Sequence, residues 1–383
     1  MRTALMIGSI GSFFNLYQLQ ALFPQLADRF GTTVTEAGWL NMASLLGMTI
    51  TAPITGAVTR HSNASTVLVF GFLALAAFNA SIAWTTNQYL LFVVRFAQGV
   101  VIPFLLTSTM NLVSTQPGRF VPLYVTGTIV GSTFSRLYPG WSVDAIGWEL
   151  GFLSSACLMA LSAIAIHLLL NVSGAESAGG LERHQSPIAY AKRAFSDSTL
   201  LVAYLAGFAL LFTQSAVFTV LGLWLSEEPY LWDSERIGTL YLACLPALFF
   251  VLGARFFRRY ATEAVITASL ILLIWVSLWI IGETGISIII GVSLFASGTY
   301  MLQTVTTQLL NNSRLVPAGV ATGIYLSFYY LGGAIGASLA AYVFAIWGWG
   351  GVIICIAMTQ AFIFCLVLFV RYRPTRLPWK TGS

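Results

Sequence analysis

The chain has 383 residues, of which 57% are hydrophobic and only 8% charged, and its mean hydropathy is +0.83. Soluble domains carry about 25% charged residues, so this composition excludes a water-soluble globular protein and points to a polytopic membrane protein. The formal net charge of +5 is no nucleic-acid signal, because its placement follows the membrane; no nucleic-acid partner is expected.

A spanning helix needs about 20 apolar residues, whereas a barrel strand shows about ten with alternating polarity. The apolar runs here are continuous, so the expected fold is all-α. In chain order the spans are 4–27, 37–59, 64–85, 88–112, 120–142, 149–171, 198–225, 236–254, 263–282, 285–310, 317–346 and 350–371. The first run starts almost at once and is too long for a signal-peptide core, so no cleavable signal is expected. The one long polar stretch lies between the sixth and seventh spans. It predicts an N-terminal six-helix bundle over 1–171, a cytoplasmic linker over 172–196 and a C-terminal six-helix bundle over 197–383. Glycine pairs four apart, Gly127/Gly131 in span five and Gly332/Gly336 in span eleven, let other helices cross closely and are read as packing.

Basic residues orient the chain. With the N-terminus inside, fourteen of the 18 Lys and Arg residues are internal and only Arg29 and Arg236 external. Both termini are therefore expected in the cytoplasm. Asp28, Glu36, Asp144, Glu149, Glu227, Glu228, Asp233, Glu235 and Glu283 fall outside or at the outer rim.

Arg95 and Arg136 remain inside spans four and five. An arginine in lipid is costly and is usually turned inward and functional. Counting 1.5 Å per residue puts both about 10–12 Å below the outer boundary. Two readings stay open. Arg136, with Arg95, lines a central cavity and attracts an anionic or polar substrate, since guanidinium binds carboxylate bidentately. Alternatively each is a structural pin on helix carbonyls or on a rim carboxylate such as Asp144. The first reading is favoured for Arg136, and the second is at least as strong for Arg95. Span one adds Asn15, Tyr17, Gln18 and Gln20. On a helix Asn15 and Gln18 share one face, and Tyr17 and Gln20 an adjacent one.

No Asp or Glu lies well inside a span. Proton coupling would therefore fall to Asp28 or Asp144 at the rim. Cys157, Cys244, Cys355 and Cys365 lie in apolar segments without metal spacing and read as buried small apolar residues. No metal or cofactor is expected. No G-x-x-x-x-G-K-[ST] loop occurs, so ATP does not drive the protein directly. No His-Glu, Ser-His-Asp or paired-carboxylate set lies in the membrane, so an enzyme is not expected.

Span four reads Arg95-Phe-Ala-Gln-Gly99, which resembles the R-x-x-Q-G motif of the major facilitator superfamily. Leu16-Tyr-Gln-Leu-Gln20, Gly131-Ser-Thr-Phe-Ser-Arg-Leu137 with Gly147-Trp148, and Gly323-Ile-Tyr-Leu-Ser-Phe-Tyr-Tyr-Leu-Gly332 are similar to the bacterial YnfM-like inner-membrane transporters within it, a group associated with sugar or drug efflux. The resemblance covers the whole chain. It implies the major facilitator fold, a single-chain protein in the bacterial inner membrane, and a cavity lined by helices one, four, seven and ten. That nominates Gln214, Tyr300, Gln303 and Thr307, with Tyr325, Tyr329 and Tyr330 of span eleven supplying ring surface. The superfamily's G-x-x-x-D-R-x-G-R-[RK] loop is replaced here by Gly56-Ala-Val-Thr-Arg60-His61-Ser62-Asn63, without the aspartate.

The expected function is secondary active transport of a small polar, amphiphilic or anionic compound by alternating access, in the efflux direction, with protons as the coupled ion. The alternatives are uptake or facilitated passage of an organic anion, and a non-transporting membrane sensor or scaffold. Expected partners are the small-molecule substrate, membrane lipid and protons.

Overall fold

The computed structural model describes residues 1–59, 62–114, 117–171, 193–253, 263–282, 284–310 and 318–372. The described residues are helical, with no strand among them. The linker up to residue 192, Arg60 and His61 of the departing loop, and Glu283 lie outside the described residues, and the side chain of Thr307 is likewise not described.

The helices are α1 (Arg2–Phe14), α2 (Phe23–Phe30), α3 (Val34–Val58), α4 (Ala64–Ala83), α5 (Gln88–Ser114), α6 (Pro117–Asn171), α7 (Ser198–Ser226), α8 (Ser234–Leu240), α9 (Ala247–Leu252), α10 (Glu263–Ile280), α11 (Gly285–Leu310) and α12 (Ala318–Tyr372). Polar side chains start several of them. Thr33 and Glu36 form a capping box at α3, Asn63 caps α4, Asp197 caps α7 and Asp233 caps α8.

Two helices have 55 residues each, about 80 Å if straight and far more than a bilayer is thick. Each doubles back at one glycine. Gly147 has φ 83° and ψ 165°, and Gly348 has φ 63° and ψ −163°. A side chain is strongly disfavoured in that backbone region. The same dipeptide, Gly147-Trp148 and Gly348-Trp349, makes the reversal in each half of the chain.

Close crossings join the halves internally and to one another. A Cβ on Gly131 would strike Ile10 of α1, and one on Gly332 or Gly336 would strike the backbone of Phe208 or Phe212 on α7. The glycine pairs therefore pack, as expected. Across the halves, α3 lies on α12, where Gly38 meets Ala341, and α6 lies on α8, where Gly140 meets Ser234. Two apolar clusters fill the interior, one around Leu26, Phe218 and Phe295 and the other around Phe72, Leu105 and Tyr325. Each draws residues from both halves. Asn15, Gln18, Gln20, Arg95, Gln98 and Arg136 are all buried.

Seven stretches of described helix are long and apolar enough to cross a membrane, including Leu123–Leu170 and Ala321–Phe369, which each contain a reversal. Bulky apolar side chains such as Phe70, Phe249, Trp279 and Met358 are exposed, as a lipid-facing surface requires. Cys157 and Cys365 are also exposed. Cys355 is half-buried, so the expectation that all four cysteines are buried holds for Cys244 alone: a thiol is apolar enough to face lipid at little cost.

Two expected spans are not continuous helices. The run 4–27 is helical to Phe14, irregular through Leu22, and helical again from Phe23. The run 236–254 is α8, a 3-10 turn over Tyr241–Cys244, and α9, with Pro246, which lacks an N–H, between them.

Candidate binding site at a broken helix

The break in the first span organises the site. Inside a membrane, freed backbone groups need protein partners. Arg95 of α5 supplies two of them. Its Nη1 donates to Asn15 O at 2.8 Å, and its Nη2 to Leu16 O at 2.5 Å. The Tyr17 N–H donates to Ser135 Oγ of α6 at 2.8 Å. Pro24 then sits in the first turn of α2, where a missing N–H costs nothing. Asn15, Tyr17, Gln18 and Gln20 therefore do not share helical faces as expected, because the 3.6-residue period ends at Phe14.

Arg95 is fully buried. It also donates to Gln98 Oε1 at 2.7 Å and Ser44 Oγ at 3.0 Å, both on elements of its own half. Gln98 donates to Asn79, and Asn79 donates to Asn15 Oδ1 at 2.7 Å, closing a polar network. Asn15 also contacts Met159. This geometry is that of a pin for the broken helix.

Arg136 is placed differently. It is 2% exposed. Its Nε donates to Gln20 Oε1 at 2.6 Å and its Nη1 to Ser132 O at 2.7 Å. The guanidinium carbon lies 4.1 Å from the ring centre of Tyr17, 4.8 Å from Phe218 and 4.7 Å from Tyr241. Such contacts are worth about 0.5–2 kcal/mol each. Tyr17 belongs to the first half of the chain; Phe218 and Tyr241 belong to the second. Ser132 and Tyr300 share a 2.9 Å hydrogen bond beside it, and Gln20 Nε2 reaches Thr219 Oγ1 at 3.4 Å. Among the described residues no carboxylate lies within ion-pair distance of Arg95 or Arg136, and the one ion pair is Arg29–Glu149 at 3.8 Å.

The other expected residues divide. Tyr325 and Tyr329 are buried on α12 with ring centres 5.8 Å apart, and Tyr329 and Tyr330 lie near Tyr17. Gln18 is fully buried with neither amide atom bonded. Gln214 is buried on α7, and Gln303 is half-buried on α11. Asp28 and Asp144 are away from this group, at the rim where α2 ends and α3 and α8 begin. A cleft of about 550 Å³ opens there, with Asp28, Thr32, Thr33, Ser226 and Glu227 among its walls. Burial pushes the Glu227 carboxyl above its ordinary value.

At that rim Asp144 Oδ2 accepts the Glu235 N–H at 2.7 Å, while Asp144 Oδ1 accepts Gln25 Nε2 and Gln25 Oε1 accepts Ser234 Oγ. Asp144 lies beyond the span 120–142. Desolvation, helped by the charge of Asp233, raises its carboxyl; the N–H groups of Glu235 and Ser234 oppose the rise. Sequence reasoning missed Phe218, Tyr241, Gln25 and Ser234. The break at Pro246 was the one local signal near Tyr241.

The family model of the Major Facilitator Superfamily matches residues 5–337. The chain is 23% identical to the inner membrane transport protein YnfM of Escherichia coli over 91% of its own length and 85% of that protein. It is 25% identical to a chloramphenicol resistance protein of Streptomyces lividans over 92% and 93% of the two chains. Its fold matches a bacterial homologue of the human lysosomal transporter Spinster, in an inward-facing and occupied conformation, with a TM-score of 0.72, 12% identity and coverage of 97% and 95%.

Proposed function

The chain belongs to the Major Facilitator Superfamily, and from that premise we propose that it is a secondary transporter working by alternating access across a bacterial inner membrane. It is a multi-pass membrane protein of a transporter family, and not an enzyme by family or fold. Twelve spans, both termini in the cytoplasm and action as a single chain complete the proposed architecture, with the Asp144 rim on the outer face. The substrate is a small polar, amphiphilic or anionic compound, and Arg136, Tyr17, Gln18, Gln20, Tyr325 and Tyr329 contribute to its site. Arg95 supports that site by holding the helix break, and Gln214 and Gln303 line the approach.

One observation carries this reading: the surroundings of Arg136 come from both halves of the chain. Rocking the halves apart opens the cage and bares the guanidinium to whichever side has parted. That is the behaviour an alternating-access site requires.

Efflux coupled to protons through Asp144 is the proposed direction, supported by the raised carboxyl at the rim and by the similarity to a Streptomyces chloramphenicol resistance protein. Uptake of an organic anion is the second reading, favoured by an interior cation with no carboxylate beside it. The test uses a chain with its four cysteines replaced and a new one at Gln20. Membrane-impermeant thiol reagents are added to right-side-out and to inside-out vesicles. The new cysteine is expected to react from each side in turn; labelling from neither side sinks the transporter reading.

A further inference from the structure

The interior of this protein holds a cation count that says something about its cargo. Of the two arginines inside the bundle, Arg95 donates to Asn15 O, Leu16 O, Gln98 and Ser44, within its own half. Arg136 stands where the halves meet, with neutral oxygens and ring faces in place of a counter-ion. Among the described residues Arg95 has no carboxylate beside it either, but its fork is taken up by the first half's own oxygens, so at the seam a cargo meets one guanidinium, that of Arg136. A cation there would be repelled. A dianion would bring a second carboxylate with no guanidinium at the seam to pair with it, which is expensive in a low-dielectric interior. A neutral ligand would leave the guanidinium with no more than it has already.

The walls are flat and aromatic. Tyr17, Phe218 and Tyr241 enclose the guanidinium. Tyr325, Tyr329 and Tyr330 continue this surface on α12, with successive ring centres 5.8 and 5.4 Å apart. Ring faces attract other rings in offset or edge-on contact. Beside Tyr17, the Gln18 amide is fully buried with both its nitrogen and its oxygen unbonded. Such a group is costly unless something meets it. It can donate to a carboxylate oxygen or accept from a hydroxyl on the cargo.

Resting on the transporter reading, we propose that the cargo of this site is a monovalent aryl carboxylate, or an acid of equivalent shape. Its carboxylate pairs with Arg136 in place of the Gln20 and Ser132 oxygens. Its ring takes the place of one aromatic wall, Phe218 or Tyr241, when the halves part, and Gln18 bonds the carboxylate or a ring hydroxyl.

Unlabelled benzoate and naphthoate are compared on the purified protein, by calorimetry and by thermal shift, with aryl analogues of different charge. These are benzyl alcohol as the neutral form, terephthalate as the dianion and benzylammonium as the cation; cyclohexanecarboxylate and glucose control for the ring. Naphthoate and benzoate are expected to bind at least about tenfold more tightly than every control. Arg136→Gln removes that preference, and Tyr241→Leu narrows the gap between benzoate and cyclohexanecarboxylate. The ranking is read on the native chain, so it decides even if a variant fails to fold. No binding of the aryl acids, or binding of glucose, benzylammonium or terephthalate as tightly as benzoate, overturns the cargo assignment. The thiol-accessibility result at Gln20 is untouched by that outcome, so the two ideas fail separately.

Discussion

Asp144, just before the Gly147 reversal in one half of the chain, accepts the backbone N–H of Glu235, the second residue of α8 in the other half, at 2.7 Å. Gln25 completes the link by bonding both Asp144 and Ser234. This rim contact ties the halves together along the same helix whose Gly238 packs on the Arg136 backbone. The carboxyl of Asp144 is raised in this closed state, chiefly by desolvation. A group whose pKa is raised by closure binds its proton more tightly when closed, so acid favours closure and the benefit is lost as pH rises through the raised value.

The first prediction follows from that sign. A cysteine placed at Ala27 on the exposed face of α2 is expected to react with impermeant thiol reagents several-fold more slowly as pH falls from about 8 to about 5. Asp144→Asn is expected to fix the slow, acid-like rate at all pH values. Its amide can bond a flipped Gln25 and still accept from Glu235, as a protonated carboxyl would. Faster labelling in acid, or an unchanged pH profile in Asp144→Asn, counts against a proton-loaded closed rim.

Arg95 and Arg136 should separate stability from binding. Replacing Arg95 with Lys leaves one ammonium where two carbonyls, an amide oxygen and a hydroxyl were met by a planar fork. Each buried acceptor left unpaired costs about 1–3 kcal/mol. Arg95→Lys is therefore expected to lower the unfolding temperature clearly and reduce the yield of monodisperse protein. Arg136→Lys keeps a cation among its rings and should unfold within a few degrees of the parent while weakening the binding of aryl acids. Equal effects of the two substitutions on stability would contradict the assignment of Arg95 as pin and Arg136 as binding group.

The parts of the fold written in local chemistry were legible. Continuous apolar runs gave the helical class, Gly127/Gly131 and Gly332/Gly336 gave two close crossings, and Arg136 gave an inward-turned charge. What stayed hidden is written across distance. Nothing between Asn15 and Leu22 breaks a helix by propensity: there is no glycine or proline in that stretch. Pro24, just beyond it, denies the Gln20 carbonyl its helical partner, but the freed backbone is met by Arg95 and Ser135, more than seventy residues away. Phe218 and Tyr241 look like any aromatic in an apolar helix until the fold brings Arg136 against them. Gln25 and Ser234 are 209 positions apart, so no window of sequence joins them.

The two reversals test the internal repeat. A Cβ built on Gly147 or Gly348 meets nothing within 4 Å, so substitution there is paid in backbone strain alone. Residues forced into this region cost about 1–3 kcal/mol. Gly147→Ala and Gly348→Ala are expected to destabilise by similar amounts within that range, measured by thermal unfolding in detergent. A neutral result at either position would mean that the chain turns by another route in that half.

The capping box of α3 makes a pH-dependent prediction of opposite sign to that of Asp144. Glu36 accepts the Thr33 N–H at 2.9 Å and the Thr33 hydroxyl at 2.8 Å, and Gln88 Nε2 adds a bond at 3.0 Å. The Thr33 backbone bond is the largest cause holding its carboxyl below the ordinary value, followed by the hydroxyl. A carboxyl lowered by folding stabilises above its unfolded pKa of about 4.3 and loses that contribution as pH falls through the folded value. Caps of this kind are worth about 0.5–2 kcal/mol, and exposure of this one favours the low end. Glu36→Ala should therefore unfold a few degrees below the parent at neutral pH, and the two should converge near pH 3. Gln in place of Glu36 keeps an acceptor for the Thr33 N–H without the charge, so its gap should be smaller and flat with pH. A gap for Glu36→Ala that persists undiminished in acid would show that the side chain acts by packing rather than by its charge.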